Sequence, residues 1–127
     1  MMQRRIFLTL TGAAALQAAA GGAAVHALQL IMVEEDGCIW CERWNRDIGQ
    51  IYPKTAEGRM APLRRVDLRA PLPADLALER PAFYTPTFIL VQDGKELARI
   101  EGYPGEAFFW GLLGKMLREN TDFQGAS

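Results

Sequence analysis

From Leu28 to Val33 the chain reads LQLIMV, a short apolar run that stops at the acidic loop Glu34-Glu35-Asp36-Gly37. A run of this length, closed by a glycine, predicts a buried strand and a turn. The period then changes. Ile39, Trp40, Trp44 and Ile48 recur at helical steps, with Glu42, Arg43, Arg46 and Asp47 between them, which predicts a helix over 38–50. Pro53 closes that helix or the turn after it. Leu63 to Leu68 (LRRVDL) reads as a second strand and Thr87 to Val91 (TFILV) as a third. Asp93-Gly94 is a hairpin signal, so Glu96 to Ile100 forms a fourth strand. Pro71, Pro73 and Pro81 frame a loop with a short helical piece near Ala74–Leu78. After Gly102, the residues Phe108, Phe109, Leu112, Leu113, Met116 and Leu117 form an apolar stripe on a final helix, read as core. Pro104 and Glu106 suit that helix's start.

A strand joined through a helix to a second strand implies a parallel crossover. The hairpin adds an antiparallel pair. The expected fold class is α/β, a mixed four-stranded sheet with helices on both faces.

The segment before Leu28 changes the picture. Arg4 and Arg5 precede a stretch, Ile6 to Ala20, that is apolar or small, with Thr9, Thr11 and Gln17 as its polar interruptions. Val25-His26-Ala27 then offers small side chains at a cleavage position. This is the order of a secretory signal. The stretch is short for a membrane span, which needs about 20 apolar residues; an uncleaved anchor is the alternative. Residues 1–27 are therefore expected to be a signal peptide, 28–120 one domain and 121–127 a flexible tail, with the mature protein in the periplasm. Cleavage after Ala20 or Ala24 is the alternative to cleavage after Ala27. Loss of the leader removes two arginines and the single histidine, His26. The whole chain of 127 residues has a net charge of −1, without the clustered basic excess of a nucleic-acid binder.

Chemistry concentrates at Cys38-Ile39-Trp40-Cys41, where the first strand's loop turns into the first helix. Two cysteines one helical turn apart lie close enough for a small adjustment to join them. Cys38 at the helix start meets unpaired N–H groups that favour a thiolate, and such a thiol pKa can fall from about 8.5 to about 3.5–7.5. Cys41, one turn in, is more buried. Cys38 is thus expected to form a mixed disulfide with a substrate and Cys41 to resolve it. A structural zinc site wants four ligands, and the mature chain has two thiols and no histidine. Haem attachment needs a histidine where Glu42 stands. A purely structural disulfide remains the alternative. No metal and no cofactor are expected.

Thr85-Pro86 directly before the third strand is the second informative site; alone it reads as a strand start. Together, strand–CxxC–helix, then X-Pro before a strand, then a hairpin and a helix resemble the thioredoxin family over about residues 28–119. The resemblance implies a thioredoxin-like fold in which Pro86 is cis and packs beside the disulfide, and Thr85 offers backbone hydrogen bonds to substrate. Gly37 to Trp44, Ile51-Tyr52-Pro53-Lys54 and Gly102-Tyr103-Pro104 look most like the periplasmic thioredoxin-like proteins of bacterial sulfur-oxidation operons. That group implies a reductant of a sulfur-carrier protein's cysteine, with a membrane thiol transporter as electron donor. Ile39-Trp40 replaces the family's Gly-Pro, and Met32 falls where the family has a buried carboxylate. Glu34 and Glu35 are candidate proton acceptors for Cys41, or else solvated loop carboxylates.

Trp40 is a candidate platform for a partner protein, with core packing against Trp44 as the alternative. Phe83 and Tyr84 rim the same surface or cover the loop. Arg64 and Arg65 read as surface charges. The leading function is a thiol–disulfide oxidoreductase acting as a monomer on a periplasmic protein thiol or disulfide. A redox-sensing binding module and a disulfide oxidase are the rivals.

Overall fold

The computed structural model describes residues 27–125, so the expected signal peptide, apart from Ala27, lies outside the described residues, as does His26. The elements are β1 (Leu28–Glu34), α1 (Ile39–Trp44), α2 (Ala56–Met60), β2 (Leu63–Asp67), β3 (Thr87–Gln92), β4 (Lys95–Glu101) and α3 (Glu106–Asn120). The expected helix over 38–50 is α1 followed by a wider π-helical turn at Asn45–Gly49. A 3-10 turn at Tyr52–Lys54 carries Pro53 in its first positions, where a missing N–H costs little. The helix α2 was not foreseen; Thr55 caps it by accepting from the Gly58 N–H at 2.9 Å.

The strands lie in the order β2-β1-β3-β4. β1 runs parallel to β2 and antiparallel to β3, and β3 is antiparallel to β4. Asp93 and Gly94, at φ 51° and 81°, make the tight turn joining β3 to β4. Alternation along each strand divides the core in two. Leu30, Met32, Phe88 and Leu90 face α1 and α3. Ile31, Val33, Ile89 and Val91 face the other way.

That second face differs from the expectation of helices on both faces. Among the described residues it is covered by irregular chain that brings Leu68, Leu76, Leu78 and Ala82 onto the sheet. The helical piece expected at 74–78 is instead a turn, with the Leu76 N–H on the Pro73 carbonyl at 3.0 Å. Ala77 then bridges to Lys95. The flanking prolines remove the donors a helix needs, and the sheet edge supplies partners instead.

The helical face is aromatic. Phe88 lies 4.8 Å from Phe109 and 5.2 Å from Trp44, centroid to centroid. Trp44 is fully buried and its Nε1 has no hydrogen-bond partner among the described residues. On α3 the inward residues are Phe109, Leu113, Met116 and Leu117. Phe108 and Leu112, expected in the core stripe, are 72% and 43% exposed: a stripe six residues wide exceeds the arc one helix can bury on one sheet face. The tail expected from residue 121 is also shorter. Phe123 is buried in the aromatic core, and the Thr121 N–H caps α3 on the Leu117 carbonyl.

Candidate active site

β1 delivers Glu34 to the sheet's end, and Gly37, at φ 79°, turns the chain into α1. An L side chain is strained at that angle, so glycine suits the turn. Cys38 is the N-cap of α1; its N–H donates to the Glu35 carbonyl at 3.4 Å. Cys38 and Cys41 are joined as a disulfide with their Cα atoms 5.2 Å apart. The Cys41 N–H points at Cys38 Sγ from 3.1 Å. Cys38 is half-buried and Cys41 is 3% exposed. The outer sulfur is thus the one a partner can reach, and it carries the N–H donor that would hold a thiolate.

The Thr85–Pro86 peptide is cis. Thr85 Oγ1 donates to Glu35 Oε1 at 2.9 Å, which ties the proline loop to the loop before Cys38. Thr87 Oγ1 donates to the Tyr84 carbonyl at 2.6 Å, and the Gly102 N–H to the Pro86 carbonyl at 2.7 Å.

Beside the disulfide lies a cleft of about 190 Å³ whose lining includes Glu34, Glu35, Cys38, Cys41, Asn45 and Asp67. Glu34 shares a sheet face with Met32, one pleat nearer the cleft. Met32, at the position of the family's buried carboxylate, is fully buried. Arg65, directly across from Met32 in β2, bonds Glu34 Oε2 at 2.5 Å and Asn45 Oδ1 at 2.8 Å. Its guanidinium also lies 5.9 Å from the Trp44 ring. Glu35 turns the other way, toward Thr85 and, at 3.5 Å, Arg69.

Of the expected residues, Cys38, Cys41, Glu34 and Glu35 come together on the cleft, and Thr85 with Pro86 joins them through Glu35. Trp40 does not line the cleft. It is 48% exposed on the first turn of α1, with the Arg43 guanidinium 4.8 Å over its ring. It is not packed on Trp44 as core. Arg65 and Asn45 were missed. Arg65 reads as a surface charge in the sequence; its signal is the register, since LRRVDL beside LQLIMV sets it opposite Met32. Among the described residues no group of three or more His, Cys, Asp or Glu is placed to hold a metal ion.

The profile of a thioredoxin-like domain matches residues 14–117. The chain belongs to the thioredoxin-like family. Among solved structures it is similar to the periplasmic thioredoxin SoxS from Paracoccus pantotrophus in its reduced form, at 48% identity and a TM-score of 0.71, over 72% of this chain and 97% of that one. It is also similar to Fasciola hepatica thioredoxin, with 20% identity and a TM-score of 0.51 over 72% and 82% of the two chains. A thioredoxin-fold protein from Helicobacter pylori aligns at 16% identity and a TM-score of 0.55, over 75% and 70%. The last two share the fold alone. No curated protein matches in the corresponding sequence comparison. With the family's fold and a Cys38–Cys41 disulfide at its active-site position, the chain is a thiol–disulfide oxidoreductase.

Proposed function

We propose that this thioredoxin-like protein is exported by residues 1–27, folds as one domain over 28–120, and acts as a monomer in the periplasm. There it reduces a cysteine or disulfide on a sulfur-carrier protein. The observation that carries this reading is the 48% identity to a periplasmic thioredoxin, SoxS, over nearly all of that chain.

The Cys38 thiolate attacks one sulfur of the substrate disulfide. A mixed disulfide forms and the substrate's other sulfur leaves as a thiolate. Cys41 then gives up its proton and attacks Cys38 Sγ. The Cys38–Cys41 bond closes and the second substrate thiol departs, so two electrons have moved from protein to substrate. Glu34 takes the Cys41 proton, directly or through water, because it lines the same cleft and Arg65 fixes its carboxylate. Trp40, Thr85 and Pro86 border the approaching polypeptide. A membrane thiol transporter returns the electrons.

The test is covalent capture. Cys41→Ser, reduced and mixed with periplasmic extract from sulfur-oxidising cells, is expected to hold a sulfur-carrier protein through Cys38, releasable by dithiothreitol. Capture by Cys38→Ser to the same extent, or no adduct with either variant, would reject the assignment.

A further inference from the structure

The ladder between β1 and β3 ends at the pair Val33 and Thr87. One step further in the same antiparallel register, Glu34 would stand opposite Pro86. Pro86 has no N–H to give. The two backbones turn to other partners there: the Glu34 carbonyl accepts the Leu68 N–H at 2.8 Å, and the Pro86 carbonyl accepts the Gly102 N–H at 2.7 Å. The main-chain ladder therefore stops just short of the disulfide. Beyond that point the chain splits into the two halves of the site, the loop that leads to Cys38 and the residues that lead into Pro86.

A side chain continues the register where the backbone does not. Glu35 lies two residues past Val33, and Thr85 two residues before Thr87, so the next pair in the sequence of facing residues is Glu35 with Thr85. Thr85 Oγ1 donates to Glu35 Oε1 at 2.9 Å. The main chain of Glu35 serves the other half of the site, because its carbonyl accepts the Cys38 N–H at 3.4 Å. One residue thus holds the start of α1 through its backbone and the proline loop through its carboxylate. Its other oxygen lies 3.5 Å from Arg69 Nε, but the Arg69 side chain is 75% exposed, and an ion pair so open to water contributes little.

We infer that Glu35 is a positioning residue for the exchange reaction: its bond to Thr85 fixes the proline loop relative to the Cys38 sulfur, and so fixes how a polypeptide disulfide lies against that sulfur. This rests on exchange at Cys38 and on substrate contact at Thr85, as proposed above. Attack requires the Cys38 sulfur to meet the disulfide with its orbitals aligned, and a displacement of about 1 Å can cost on the order of 100-fold in rate. Glu35 touches no reacting atom and takes no proton, which separates it from Glu34. It acts as a hydrogen-bond acceptor, so a neutral amide oxygen serves in its place and a methyl group does not.

The experiment compares two probes with dithiothreitol as reductant: insulin, a polypeptide disulfide, and bis(2-hydroxyethyl) disulfide, which has no backbone for Thr85 to hold. Glu35→Ala and Thr85→Val each remove the bond from one side. Each is expected to lower kcat/KM for insulin roughly fivefold or more and to leave the small disulfide within about twofold. The double variant should lose no more than either single one, since one bond is removed once. Glu35→Gln should restore insulin reduction to within about twofold of wild type, and Arg69→Gln should match wild type to the same degree. Full insulin activity in Glu35→Ala and Thr85→Val would overturn the positioning role. So would multiplied losses in the double variant, equal losses on both probes, or a Glu35→Gln variant as slow as Glu35→Ala. Failure of wild type on both probes would instead overturn the exchange reading itself.

Discussion

At the sulfurs, two neighbours divide the work. The Cys41 N–H, 3.1 Å from Cys38 Sγ, stabilises charge on the outer sulfur. Cys41, 3% exposed, must lose its proton to something nearby. Met32, fully buried, stands where the resemblance implies a carboxylate, and the function proposed above assigns the proton to Glu34, two residues along the strand. Glu34 stays partly open to water, at 27% exposure, and is paired with Arg65. Glu34→Gln keeps the shape and removes the base. It is expected to slow resolution of a Cys38 mixed disulfide about tenfold or more at neutral pH. Stopped-flow release of thionitrobenzoate from the Cys38 adduct measures this. Glu35→Gln keeps an oxygen for Thr85 and should leave the same step within about twofold. Equal slowing by both variants would argue against the separate roles.

Among the elements, the strands were the most legible. LQLIMV, LRRVDL and TFILV have a period or an apolar density that leaves few alternatives, and Asp93-Gly94 fixes the hairpin because both residues must adopt positive φ. Cys38, Cys41 and Pro86 were legible for a related reason: each sits at an element boundary that the pattern marks. What escaped was decided by neighbours. The stretch 56–60 has no apolar period of its own; it is helical because Thr55 caps it and Ala56, Met60 and Ala61 pack against the core. The stretch 74–78 has helix-forming residues but lies beside an open strand edge, and Ala77 bonds there. On α3 the pattern could not say which part of a broad stripe faces the sheet. Arg65 looked like any surface charge until the parallel register set it across from Met32.

For the whole molecule, the two faces of one sheet carry different tasks. One holds the aromatic core that seats α1 and the disulfide; the other holds the irregular segment that ends at Thr85-Pro86. Both faces leave a trace in the pH dependence of stability. Glu96, held below its ordinary pKa by Arg99, contributes stability that is complete above the unfolded value of about 4.3 and is lost as pH falls through the folded one. Burial and, secondarily, Glu57 raise the Tyr52 phenol above 10, and burial with the Asp47 bond raises that of Tyr103. The unfolded phenols therefore ionise first, and stability falls as pH climbs past about 10. Urea midpoints across pH should show a plateau bounded by these two declines, with a shallower acid decline in Glu96→Gln. An acid limb identical in that variant would remove Glu96 from the account.

The division of labour between the two sulfurs has the most direct test. The reduced protein is treated with iodoacetamide at pH 7, and each cysteine's alkylation is followed by mass spectrometry. Cys38, half-buried with an N–H on its sulfur, is expected to react at least about tenfold faster than Cys41. Equal rates, or faster labelling of Cys41, would contradict the assignment of Cys38 as the attacking thiol.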